Sequence, residues 1–192
     1  MAKSCCNKAC IVQGEKYRFS VLTPFMMRME YSETGVFEDL QTQTVLNREF
    51  PVPEYSVTQS DDRLEIETEA FHMIYDKKKF SAEGLFIDVK YDFTNYGGRW
   101  YFGAKTYSFP PREHNLKGTM RTLDRADGEV ELEYGLMDKS GRTFFDDSKS
   151  FVFDEENMPS KRKHEEIDVY YLAYGRDYFC LLYTSPSPRD RG

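Results

Sequence analysis

The chain has 192 residues, 40% of them hydrophobic and 16% aromatic, and carries 26 Lys and Arg against 33 Asp and Glu for a formal net charge of −7. Aromatic and apolar content this high excludes an intrinsically disordered chain, and the acidic balance excludes nucleic acid as a partner, since phosphates need a basic stripe. No run approaches the ~18 apolar residues of a membrane-spanning helix, and the length suits one domain with a real core.

The opening MAKSCCNKACIV has a Lys but no continuous apolar stretch after it. It does not read as a signal peptide, so the chain is expected in the cytoplasm. Cys5, Cys6 and Cys10 do not have C-x₂-C spacing and no second pair follows. They are expected to be unligated thiols at a frayed start rather than a metal site, the frayed part being 1–8 with Cys10 just beyond it.

From Tyr17 the pattern becomes that of strands. YRFSVLT alternates, and after Pro24 the run FMMRMEYS puts Met27, Met29 and Tyr31 on one side; two half-buried strands are predicted. Glu33-Thr34-Gly35 reads as a turn leading into VFEDLQTQTVLNREFP. Short β segments follow over 55–59, 63–68 and 70–75, where Leu64 and Ile66 alternate with Glu65 and Glu67 as in a sheet with one wet face. Lys77, Lys78 and Lys79 read as a solvated turn or a protected sheet edge. Leu85, Ile87 and Val89 mark another strand, and Trp100, the only tryptophan, is expected in the core, with stacking on a sugar as its alternative.

Residues 115–150 are the least generic part of the chain. A glycine-punctuated loop with Asn115, Gly118, Arg121, Asp124 and Gly128 leads into an alternating run, a Ser-Gly turn and a strand ending at Asp146-Asp147. Neighbouring strand residues point to opposite faces, so that acidic pair cannot serve one sugar together and is read as structural. Residues 157–166 read as a polar insertion with Lys161, Arg162 and Lys163, and 167–174 as a strand with Ile167, Val169, Tyr171 and Ala173 on one face. His72, His114 and His164 are too scattered to spell a metal site or a triad. No cofactor motif is present. With many short strands and no convincing helix, the predicted class is all-β, an antiparallel β-sandwich over roughly 9–174 with Leu64, Ile66, Leu85, Ile87, Val89, Val130, Leu132, Ile167 and Val169 inside.

Two stretches carry a resemblance. Residues 19–51 are similar to a pattern close to xVLTxxxIRxEYSxxGxFEDRxTQxxxNRxFP, departing at Leu40 where Arg is usual. Residues 115–148 are similar to NLGGTxRTLDxxxG followed by GLLSRxGWxxxDDS, departing at Lys117 where Gly is usual. Together they resemble the N-terminal domain of bacterial glycoside hydrolase family 31, the α-glucosidase and α-xylosidase family. The resemblance implies a galactose-mutarotase-like supersandwich over 9–179 that precedes a catalytic barrel. It also implies that the two catalytic carboxylates lie on that barrel, so no catalytic residue is expected within this chain. A sandwich loop would help to wall the sugar subsite, with Asp124 first and Arg121 second as substrate-binding residues. The expected partners are an α-glucoside or α-xyloside and the barrel in cis. The tail 180–192 resembles translated read-through of a sequencing adapter and is expected to make few native contacts. The alternatives are a free-standing aldose epimerase, which needs a His and Glu set converging in one cleft, and a carbohydrate-binding module, which needs exposed aromatics in a row on one sheet face.

Overall fold

The structure is a computed structural model that describes residues 6–90, 98–104, 115–118, 127–130, 132, 135–154, 156–177 and 179. Among the described residues the named elements are strands apart from one 3-10 turn, Lys8–Cys10, whose Ala9 N–H donates to the Asn7 side chain. The first sheet contains β1 (Ile11–Gln13), β2 (Tyr17–Thr23), β3 (Met26–Tyr31), β9 (Arg142–Asp146) and β12 (Ile167–Ala173) in the order β1-β2-β3-β12-β9. The second runs in sequence order through β4 (Ser56–Gln59), β5 (Leu64–Glu67), β6 (Phe71–Tyr75), β7 (Leu85–Val89) and β8 (Arg99–Tyr101). A two-stranded ribbon joins β10 (Val152–Phe153) to β11 (Pro159–Ser160). Every strand pair is antiparallel. The chain is therefore all-β, with two antiparallel five-stranded sheets.

Period-two alternation decides which residues meet between the sheets. Tyr17, Phe19 and Val21 of β2, Met27, Met29 and Tyr31 of β3, and Val169, Tyr171 and Ala173 of β12 face Leu64, Ile66, Phe71, Met73, Tyr75, Leu85, Ile87 and Trp100 of the second sheet in one apolar cluster. Aromatic contacts cross the gap, with Phe19 5.2 Å from Tyr75 and Tyr171 5.0 Å from Trp100, centroid to centroid. Trp100 is thus a core residue, 1% exposed, and its indole N–H donates to the Ala104 carbonyl at 3.2 Å.

The second sheet has the wet outer face that its sequence indicates, with β5 buried at Leu64 and Ile66 and open at Glu67. The first sheet departs from expectation. β2 and β3 are buried at every position and β12 at all but its first. The half-buried reading of β2 and β3 fails because a second cluster, Leu22, Met26, Val45, Tyr170, Leu172 and Tyr174, covers the outer face. The cover is the irregular segment 36–50, tied to the ribbon through Gln43 N–H to Phe151 O and Phe153 N–H to Gln41 O. The expected core also needs correction at its edges. Leu132 is exposed and Val130 only half-buried, because the described residues of 127–137 form no strand and the alternation there has no sheet to bury into. Val89 and Ile167, at strand ends, are half-buried against the core.

Gly35 and Gly141 are each required by both conformation and space, Gly35 at φ +70° with the Glu15 carbonyl oxygen 2.5 Å from where a Cβ would stand. Gly141 turns the chain into β9 at φ +75°, and a Cβ there would run into the Gly175 backbone, whose N–H donates to Gly141 O at 2.7 Å. Gly141→Ala is expected to cost more than about 1 kcal/mol, checked by the urea midpoint; an unchanged midpoint would show that the turn relaxes freely.

Candidate functional site

The loop that begins at Asn115 has its base clamped shut. Asn115 pairs with Asp138 as an isolated antiparallel bridge. Its side-chain Oδ1 accepts from Lys117 N–H and Gly135 N–H at 2.9 Å each, and its Nδ2 donates to Gly135 O at 2.8 Å. One amide thereby holds both ends of the excursion. Gly135 leaves room for this approach, since a Cβ on it would lie 2.7 Å from Lys117 O. The base is in turn docked on the end of β12: Asp138 N–H donates to the Tyr174 hydroxyl at 2.6 Å, and that hydroxyl is 2.9 Å from Asp138 O. Lys117 sits at φ +65°, the left-handed region that glycine enters without steric cost. Arg121 and Asp124, the candidate sugar-binding residues, lie outside the described residues, as do His114 and the tail 180–192.

A second constellation lies on the outer face of the first sheet, where cross-strand register puts Arg18 opposite Glu30 and Glu30 opposite Asp168. Arg18 grips Glu30 with two bonds of 2.7 Å and reaches Asp39 at 2.7 Å. Arg28 grips Asp168 the same way, at 2.8 and 2.7 Å, and both arginines donate to the Glu38 carbonyl. Arg162 reaches Asp168 at 2.8 Å and Asp147 at 3.2 Å and also pairs with Glu166. Arg48 donates to the Tyr170 hydroxyl at 2.6 Å and to Leu40 O at 2.7 Å, pinning the cover segment to β12. Burial opposes ionisation of Asp168, but the Arg28 and Arg162 guanidiniums outweigh it and hold its carboxyl below the usual carboxylate range. For Asp147 burial wins, aided by Asp168, and its carboxyl is raised.

The arrangement is paired internally, and the atoms it leaves unmatched, among them Arg162 Nε, Asp147 Oδ1 and Glu166 Oε2, are buried away from solvent, so its work is to hold 36–50 and 158–166 against the sheet. Sequence reasoning missed it. The reading of 157–166 as a polar insertion is corrected at Arg162, whose side chain is only 6% exposed. The available signal was that Arg18, Arg28, Glu30 and Asp168, of opposite sign, share the parity of one sheet face.

The remaining candidates separate cleanly. Asp146 is exposed and Asp147 fully buried, accepting from the Thr42 hydroxyl at 2.8 Å, as expected of neighbours on opposite faces. His72 is partly exposed, with Nε2 2.7 Å from Glu65 on the open face of the second sheet. Phe86 and Tyr101 sit side by side on the same face, 6.2 Å apart, but the Arg99 guanidinium lies 4.2 Å over the Phe86 ring, leaving Tyr101 as the open platform of the pair. Cys6 and Cys10 are free thiols, Cys10 buried. Among the described residues no group of His, Cys, Asp and Glu could hold a metal ion, and no helix is long and apolar enough to cross a membrane. Compared with models of protein families the chain matches none, and compared with the curated proteins it matches none either.

Proposed function

We propose that the chain is the N-terminal, galactose-mutarotase-like sandwich of a family 31 α-glycosidase, packing on the catalytic barrel and lending its loop 115–128 to the sugar subsite. The observation that carries this reading is the agreement between the glycines of the family pattern and the backbone. Of the five glycines that fill glycine positions of that pattern, Gly35, Gly128 and Gly141 have φ of +70°, +91° and +75° while Gly118 and Gly135 lie outside the left-handed region, and Lys117, standing where the pattern has glycine, has φ +65°. A pattern of glycines imposed by left-handed turns is a physical likeness rather than a compositional one. The clamp at Asn115 adds the rigidity a subsite wall needs, since functional loops work when a scaffold fixes their ends. The chain's role is binding and positioning; the nucleophile and acid of a retaining glycosidase, about 5 Å apart, belong to the barrel.

Asp124 is the first residue to test and Arg121 the second, offering the charged acceptors and donors that fix sugar hydroxyls. In an enzyme that joins this domain to its barrel, Asp124→Ala is expected to cut kcat/KM for an aryl α-glucoside or α-xyloside about tenfold or more, roughly 1.4 kcal/mol, with little change in melting temperature. Unchanged kinetics, or a loss that tracks unfolding, would return Asp124 to a structural role.

A further inference from the structure

Glu166 stands out once the buried ion pairs are matched one to one. Arg18 takes Glu30, Arg28 takes Asp168 and Arg162 takes Asp147, each carboxylate being fully buried. Glu166 is a fourth carboxylate with a side chain only 2% exposed, sharing Arg162 through Oε1 while its buried Oε2 has no hydrogen-bond partner. Its charged neighbours include Arg162 on its own segment, Asp168 on β12, and Arg28 and Glu30 on β3, two cations that already serve other acids and two anions, while Arg48, a further buried cation that acts on Asp168, donates to the Tyr170 hydroxyl and Leu40 O. Like charges confined in one low-dielectric site cannot all ionise freely.

We propose that Glu166 carries a buried proton that latches the strap 158–166 onto the outer face of the first sheet, and that losing this proton loosens the strap. The geometry makes the strap dependent on this point. Arg162 is its deepest anchor, donating to Asp147 and Asp168 as well as to Glu166. Beside that anchor, Asp168 N–H is held by the Ser148 hydroxyl at 2.9 Å. With Glu166 protonated, Arg162 is shared by two charged acids; with it ionised, the same guanidinium serves three, and the added anion faces Asp168 and Glu30 across the site.

Burial, with Asp168 and Glu30 adding to it, pushes the Glu166 carboxyl up to about 7 from an ordinary 4.5. A raised carboxyl keeps its proton in the folded state after the unfolded state has lost it. Stability from this group is therefore greatest below about 4.5 and falls as pH rises towards 7. The strap is tight in mild acid and loose above neutrality.

The test is amide hydrogen exchange of 161–167 in the whole chain between pH 5 and pH 8, corrected for the intrinsic chemistry of exchange. Protection should drop about tenfold or more across the interval, while the second sheet stays unchanged. Glu166→Gln should abolish the drop. His164→Gln should leave it intact, which separates Glu166 from the exposed imidazole two residues away. Should Glu166→Gln fail to fold, carbon NMR of the Glu166 carboxyl in the unaltered chain decides: a midpoint near 7 supports the latch and one near 4.5 overturns it. Constant protection across the interval, or a drop that survives in a folded Glu166→Gln, also overturns it.

Discussion

Arg162→Met is expected to destabilise the fold by about 3–5 kcal/mol, because removing one partner of a buried ion cluster strands the others. Three acids lose a guanidinium at once: Asp147 and Asp168 are fully buried, and the Glu166 side chain nearly so. Methionine restores most of the apolar stem, so the loss reports charge rather than volume. The sign with pH is fixed by the same residues. Burial already raises Asp147 and Glu166, and without Arg162 both rise further, so the folded variant holds protons that its unfolded chain has released. Stability of the variant should fall more steeply from pH 5 to pH 8 than that of the parent. Chemical denaturation at both pH values checks this. A loss below about 1 kcal/mol, the level of an exposed pair, would show that Arg162 is solvated and that the strap is not anchored through it.

Trp100→Ala is the second large effect, expected at about 3–5 kcal/mol. Trp100 stands on β8, the edge of the second sheet, yet it contacts the first through Tyr171 at 5.0 Å and Phe144 at 5.5 Å, and Phe102 at 6.1 Å closes its other side. Truncation therefore opens a cavity where the two sheets meet and leaves the Ala104 carbonyl without its indole donor. Since the chain has a single tryptophan, the midpoint must be read by circular dichroism rather than fluorescence. A cost under about 1.5 kcal/mol would mean that β8 peels away and the core closes behind it.

These two residues differ in how visible they were beforehand. Trp100 was legible as core from its size and its place in an aromatic run. Arg162 was not, because three basic residues in a polar stretch look the same whether they are solvated or folded under. The candidate sugar loop falls between the two. Its turns could be read from Asn115 and Gly128, but nothing in the pattern said that the Asn115 side chain would close the stretch 115–135 that contains it, because its partner Gly135 is 20 residues away.

What the sequence by itself determined is local. Strand positions and the set of side chains between the sheets follow from alternation, which alone places Met27, Met29 and Tyr31, and Val169, Tyr171 and Ala173, on their faces. Turns at Gly35 and Gly141 follow from backbone conformations that glycine adopts without strain. What the tertiary structure alone decided is which faces see water. Arg18, Arg28 and Glu30 mark a wet face by composition, yet that face is dry, because Asp168, 140 residues from Arg28, completes the charge match. Segment 36–50, which has no period of its own, lies over the result. Alternation acts between neighbours along the chain, whereas the pairing of buried charges acts across space, so only the assembled sheet shows which polar residues are inside.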